Sequence, residues 1–308
     1  MVTIDSLPPD VRALYPFTPS VFTTPHGARM SYLDEGPRGD EAVVMLHGNP
    51  TWSFFYRNAV VALRSRWRCL VPDHIGMGLS DKPEDYPYTL ATRIADLEGL
   101  LDGLGINRIN LVVHDWGGAI GFGLAVKNPA RIGRIVILNT AAFRSQRIPR
   151  RIALCRSRPF GTWLVRGLNG FAGPAASMAM HARRLTAAER RGYLLPYNSW
   201  ANRVAVDAFV KDIPLERGHV SHSTLQEVEN GLSQFRSHSV SIVWGGKDFC
   251  FNRHFLEEWK GFLPQARVTL LRDAGHYVLD DGGEAASQRL IEGLIPADQK
   301  TGDSTGGA

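Results

Sequence analysis

Six short apolar, β-branched runs punctuate the chain: "VVMLHG" (43–48), "CLVPD" (69–73), "INLVVHD" (109–115), "IVILNT" (135–140), "VSIVWGGKD" (240–248) and "VTLLRDAGH" (268–276). None alternates apolar with polar, so each reads as a strand buried on both faces. Helix-length segments separate them. In "LATRIADLEGLLDGLG" (90–105), apolar residues recur at 90, 94, 97, 100, 101 and 104, the 3.6-residue period of a helix with one buried face. Strands alternating with helices predict an α/β fold, a mostly parallel sheet flanked by helices on both sides.

The alternation stops between Arg144 and about Gly218. "RPFGTWLVRGLNGF" and "LTAAERRGYLLPYNSWANRVAVDAFVKDI" are helical, with no strand run between them. A helical block inserted after the strand at 135–140 reads as a cap over the carboxyl edge of the sheet. The expected organisation is a first part of the core over 1–143, a helical cap over 144–218, a second part of the core over 219–296, and a tail over 297–308. That tail, "ADQKTGDSTGGA" from residue 297 on, is small and polar and is expected to be disordered.

In an open parallel sheet, ligands bind beyond the carboxyl ends of the strands. Four of the runs end in reactive or polar groups: His47-Gly48-Asn49-Pro50, Asp115, Asp248 and His276. Val113-His114-Asp115-Trp116-Gly117 has the strand–turn–helix pattern of a nucleophile elbow, with Asp where Ser is common. An N-cap role for Asp115 is the plainer alternative. Chain order favours the catalytic reading, because nucleophile, acid and histidine follow one another as Asp115, Asp248 and His276. Asn139 and Thr140 stand at the other usual place for the acid and cannot carry charge. Asp280 and Asp281 are rivals to Asp248. A carboxylate needs no base to become a nucleophile and can form an ester with a carbon that bears a leaving group. His276, oriented by Asp248, is then free to activate water or move a proton. The backbone N–H groups of Trp116 and Asn49 are the expected oxyanion donors. Their side chains, an indole N–H and an amide, suit a departing anion such as halide or carboxylate. His47, His74 and His114 read as loop-holding residues, and the glycine-rich "PDHIGMGLSDKP" (72–83) lacks the ending of a phosphate loop.

Composition narrows the classes further. The 308 residues are 44% hydrophobic, ample for a full core, and carry a net charge of +5. The positive surplus is concentrated. Residues 144–203 contain twelve Arg, no Lys and one acid, Glu189. Without interleaved aromatic repeats this argues against nucleic acid, leaving a solvated face or a surface for an anionic substrate, an acidic partner or a membrane. Three cysteines (Cys69, Cys155 and Cys250) form neither a zinc pattern nor a disulfide framework. No metal and no cofactor are expected. An N-terminus without a signal pattern and the lack of a transmembrane run lead to the expectation of a cytoplasmic protein.

These motifs ("HGNPTWSFFYRN" at 47–58, "PDHIGMGLSDKP", "HDWGG" and "DAGHYV") make the chain resemble the haloalkane dehalogenase branch of the α/β-hydrolases, from residue 15 to about Ile295. The resemblance implies an α/β-hydrolase fold, with Asp115 as nucleophile, His276 as base, Asp248 as acid, and Asn49 and Trp116 holding the leaving group. Within that branch, "PDHIGMGLSDKP" (72–83), "ILNTAAF" (137–143), "LPYNSWANR" (195–203), "DIPL" (212–215) and "KDFCFNRHFL" (247–256) resemble the β-lactone decarboxylases of bacterial long-chain olefin biosynthesis. That likeness implies loss of CO2 from a long-chain cis-3-alkyl-4-alkyloxetan-2-one to give a cis-alkene. It also implies a small hydrophobic substrate, a β-lactone synthetase as a protein partner, and the arginine-rich cap as one docking face. Haloalkane dehalogenase, and after it epoxide hydrolase, are the alternatives, the latter needing tyrosine donors for which Tyr193 and Tyr197 are available. A non-catalytic receptor is a third. Phe160, Trp163, Leu164, Leu168 and Phe171 either line an alkyl channel or pack the cap onto the core. Chain length, stereopreference, the lactone carbon attacked and oligomeric state are not legible.

Overall fold

A computed structural model describes residues 3–295. The predicted tail therefore lies outside the described residues. Eight strands form one sheet: β1 (Ser20–Thr23), β2 (Arg29–Glu35), β3 (Glu41–Leu46), β4 (Cys69–Pro72), β5 (Arg108–Asp115), β6 (Ile132–Thr140), β7 (Val240–Gly245) and β8 (Arg267–Leu271). Their order is β1-β2-β4-β3-β5-β6-β7-β8. From β4 to β8 neighbours run parallel, whereas β1 and β2 pair antiparallel with each other and β2 pairs antiparallel with β4.

The unalternating apolar runs have the anticipated cause. Val44, Leu46, Leu111 and Val113 face an apolar cluster shared with the helices Leu90–Gly103 and Trp116–Lys127. Val43, Met45, Val112 and Val136 face a second cluster, with the helices Arg57–Leu63 and Gly283–Leu294. Every strand of the sheet's centre is thus covered twice. The antiparallel pair escaped the pattern because β2 reads "RMSYLDE". Its polar residues are satisfied by tertiary partners: the N–H of Ser31 donates to Ser80 Oγ at 2.8 Å, and Asp34 pairs with Arg68 at 2.8 Å. Two runs also end earlier as strands than their hydrophobicity suggests. β7 stops at Gly245 and β8 at Leu271, leaving Asp248 and His276 on loops beyond the sheet.

Between β6 and β7 the described chain contains helices only. Arg150–Arg156, Phe160–Thr162, a π-helical turn at Trp163–Gly167, Ala172–Met178, Ala187–Leu194 and Val204–Lys211 come first. The helix His222–Gly231 then returns to pack against Trp116–Lys127. A buried ionic cluster ties the inserted helices to the core. Arg57 donates to Asp280 at 2.7 Å and to Glu189 at 3.2 Å, Arg183 reaches Glu189 at 2.8 Å, and the hydroxyl of Tyr193 donates to Asp280. The arginine surplus is partly neutralised by acids distant in sequence: Arg144 pairs with Glu229, Arg156 with Glu216, Arg166 with Glu84 and Arg191 with Asp10.

Candidate active site

β5 ends in Asp115, whose backbone has φ 51° and ψ −126°, a conformation that costs a non-glycine residue of order 1–3 kcal/mol. The surroundings enforce it. The hydroxyl of Thr140, at the end of β6, donates to the Asp115 carbonyl, and the indole N–H of Trp259 donates to the Thr140 carbonyl at 2.9 Å. A Cβ at Gly117 would lie 2.1 Å from the Leu46 carbonyl oxygen, so the helix Trp116–Lys127 can start this close to β3 only on glycine. The N-cap alternative fails, since the Asp115 side chain accepts no capping bond from that helix's second or third residue.

The Asp115 carboxylate sits between two loops. Its Oδ1 accepts the backbone N–H of Asn49 at 2.7 Å, and the Trp116 N–H also bonds the carboxylate. The two expected oxyanion donors thus hold Asp115 itself. Its Oδ2 lies 3.7 Å from Nε2 of His276. On the far side of that ring, Nδ1 meets Asp248 Oδ2 at 2.8 Å. The other oxygen of Asp248 accepts the N–H groups of Cys250 at 2.6 Å and Phe251 at 3.1 Å, which fixes the carboxylate plane. All three side chains are buried.

Burial and charge set the protonation states together. Burial raises the Asp115 carboxyl from the ordinary range, and His276 with the Asn49 and Trp116 N–H groups pulls it partly back. Burial lowers the His276 imidazole, but Asp248, and then Asp115, outweigh it and raise the pKa above its usual value. The His276 ring thus lies between two acidic side chains, both of which favour its charged form. The neighbouring histidines are kept neutral by burial: His47 is lowered to about 4, and His74 and His114 well below their usual value. Each holds backbone. His74 Nε2 bonds the His47 carbonyl at 3.1 Å, and His114 Nε2 bonds the His276 carbonyl at 2.9 Å.

The two candidate leaving-group donors meet at the floor of a cavity of about 130 Å³, lined by Asn49, Asp115, Trp116 and apolar side chains that include Phe143, Ile152, Val210, Ile213, Leu225 and Phe251. The Trp116 indole N–H has no hydrogen-bond partner among the described residues. Asn49 is less free than its sequence position implies. One hydrogen of its amide goes to the Val206 carbonyl at 3.1 Å, leaving one for a ligand, while its Oδ1 is buried without a partner. The helix Val204–Lys211 grips both donors, through Val206 on Asn49 and through Phe209, whose ring centroid is 5.3 Å from that of Trp116.

Several residues fall elsewhere. Asp280 belongs to the Arg57 cluster, and Asp281 accepts the N–H groups of His181, Ala182, Arg183 and Gly275, so neither competes with Asp248 for His276. Asn139 clamps β6 to β7 by exchanging hydrogen bonds with Gly245. The Tyr193 hydroxyl is bound to Asp280 and that of Tyr197 to the Thr51 carbonyl at 3.1 Å, and neither residue lines the cavity. Phe160, Trp163 and Leu168 are 51%, 54% and 59% exposed and neither line the cavity nor pack the core; Phe171 does line it. Sequence reasoning missed Thr140, Cys250 and Phe251 as parts of the site, and Arg93. The Arg93 guanidinium lies 3.7 Å from the centroid of Phe209 and 5.8 Å from that of Trp116, beneath the donors, where it pairs with Asp212 at 2.9 Å.

The sequence pattern of the alpha/beta hydrolase fold family matches residues 41–283. A Xanthomonas campestris protein named cis-3-alkyl-4-alkyloxetan-2-one decarboxylase is 46% identical over 294 residues, 92% of this chain and 95% of that protein. Haloalkane dehalogenase 2 of Mycobacterium tuberculosis is 29% identical, over 91% of this chain and 96% of its own length. Among solved structures, haloalkane dehalogenase DbeA of Bradyrhizobium elkani superposes with a TM-score of 0.81 at 24% identity, covering 90% of this chain and 97% of that one.

Proposed function

The chain belongs to the α/β-hydrolase family, and from that membership and the geometry of its site we propose that it decarboxylates a long-chain dialkyl β-lactone to a cis-alkene, with Asp115 as nucleophile. The observation that carries this reading is the Asp115 carboxylate. It is fixed by two backbone N–H groups, backed by the His276–Asp248 pair, and faces an apolar cavity whose floor carries donors. The 46% identity to a protein named for this activity supports it over the dehalogenase reading, whose namesake relative stands at 29%.

The chemistry then runs without water. Oδ2 of Asp115 attacks C4 of the ring from the side opposite the ring oxygen. The C4–O bond breaks, and its electrons leave with the ring oxygen as part of a free carboxylate. That carboxylate develops beside the Trp116 indole N–H and the second amide hydrogen of Asn49. In the second step the bond between C3 and the carboxylate carbon breaks. Its electron pair forms the C3–C4 double bond and expels Asp115, releasing CO2 and alkene. Backside attack followed by fragmentation with both breaking bonds anti leaves the two alkyl groups of a cis-lactone on one side, as a cis-alkene. The Asn49 and Trp116 N–H groups that hold Asp115 in the free enzyme stabilise it again as it departs. So does the His276 ring, which Asp248 holds through Nδ1 with Nε2 turned toward Asp115. This cycle consumes no proton and needs no base.

A hydrolytic dehalogenase would use the same first step and then require water at His276 Nε2. Epoxide opening is disfavoured, since both candidate tyrosine hydroxyls are engaged away from the cavity. The test is to give the purified protein a long-chain cis-β-lactone and, separately, a 1-haloalkane, measuring alkene by gas chromatography and halide by electrode. Alkene from the lactone is expected. Halide release without alkene would overturn the proposal.

A further inference from the structure

A second apolar groove adjoins the cavity and has no role in the chemistry above. Leu154, Cys155, Leu164, Phe171, Met178 and Phe249 are among its walls. It shares Ile152 and Phe171 with the catalytic cavity, so these two side chains are the partition between the spaces. Phe249 links the groove to the reacting centre, because its ring centroid lies 6.3 Å from that of His276. Cys250 and Phe251, the next two residues, face the cavity instead. The loop after Asp248 therefore sends one aromatic ring to each side. Leu154 and Phe249, 50% and 38% exposed, present apolar surface within reach of a ligand in the groove.

We infer that this groove holds the second alkyl chain of the lactone, the first lying in the cavity toward Ile213 and Leu225. The assignment rests on the lactone reading above. Two cis substituents on adjacent carbons of a four-membered ring leave it on the same face, so an enzyme that takes both as long chains needs a fork close to the nucleophile. Phe171 and Ile152 form such a fork, and the groove beyond them is apolar enough for a hydrocarbon chain and open enough for a long one. A substrate with a single short chain would leave it empty.

Ala175 lines the groove and not the cavity, which makes Ala175→Phe the discriminating variant. Three cis-lactones are compared by alkene formation: one with two long chains, and two in which either the C3 or the C4 chain is shortened to methyl. The expected result is at least a tenfold fall in kcat/KM for the two-chain lactone, with one of the methyl lactones unchanged within twofold. Equal losses on all three, or none on the two-chain lactone, would overturn the assignment. A polar wall, Leu154→Asp, should reproduce the same selectivity without filling the space. Chain binding is also read without turnover, using an unreactive dialkyl ketone that carries a diazirine near the end of each chain. Photolabel is expected on the helices Arg150–Arg156 and Ala172–Met178 as well as on the cavity wall. Label confined to the cavity wall would overturn the assignment. A wild-type protein that forms no alkene at all would sink the proposed function, and the photolabel would still decide whether the groove holds a chain.

Discussion

Gly48 offers a perturbation of the site whose size can be worked out in advance. A Cβ built on it would stand 2.0 Å from Asp115 Oδ1 and 2.3 Å from Asp115 Cβ. Ordinary contact begins near 3.4 Å, so in Gly48→Ala the carboxylate or the loop must move by more than ~1 Å. A displacement of that size at a reacting atom costs about 10²-fold in rate. The Asn49 N–H bond to Oδ1, now 2.7 Å, is lost or lengthened with it, and hydrogen bonds to charged groups contribute about 1.5–3 kcal/mol. Together these predict a fall in kcat/KM of roughly 10²–10³-fold. The assay is alkene release from a cis-β-lactone, run beside far-UV circular dichroism and Tm to show that the variant folds. Gly261→Ala is the control: a Cβ there meets nothing within 4 Å, in the helix Arg253–Phe262. A folded Gly48→Ala enzyme with more than a third of wild-type activity would refute the close-contact reasoning.

Other consequences follow from the same geometry. Trp116→Phe keeps a ring against Phe209 but removes the free indole N–H, so lactone kcat/KM should fall by about 10²-fold, the usual cost of one donor to a developing anion. An unchanged kcat/KM would take Trp116 out of the donor set. Arg57→Ala strips the partner from buried Asp280 and should destabilise the fold by about 3–5 kcal/mol in urea titration. A loss under 1 kcal/mol would mean that the cluster does not fasten the inserted helices. His276 has its pKa raised, so the imidazolium, and with it alkene formation, should persist above pH 6.5 and be lost as pH rises through the folded pKa. Asp248→Asn removes the largest cause of that rise and should move the alkaline limb of the kcat/KM profile to lower pH; a limb that stays in place would detach it from His276.

The sheet's centre was legible because each strand there is buried on both faces, and the candidate chemistry because it stands where those strands end. The edge pair β1 and β2 was not, since the polar residues of β2 depend on Ser80 and Arg68, which are remote in sequence. The spacing of Phe160, Trp163, Leu164 and Leu168 assumed 3.6 residues per turn. The π-helical turn Trp163–Gly167 breaks that period, and three of these side chains end up exposed. Asn49 was legible as a donor but not as one half committed to Val206, because the helix carrying Val206 lies 157 residues further along the chain. Thr140 could be seen only as an uncharged residue in the acid's alternative place; its hydrogen bond to the Asp115 carbonyl depends on how β5 and β6 align.

The central claim is that Asp115 forms an alkyl ester which leaves by fragmentation rather than by attack of water. The oxygen isotope content of Asp115 tests it most directly. After many turnovers of a cis-β-lactone in ¹⁸O-labelled water, the peptide containing Asp115 is weighed by mass spectrometry. Fragmentation cleaves only the alkyl–oxygen bond, so the account predicts alkene in the headspace and an Asp115 carboxylate that has kept both of its original oxygens. Label in that carboxylate, with a hydroxy acid in place of alkene, would contradict it.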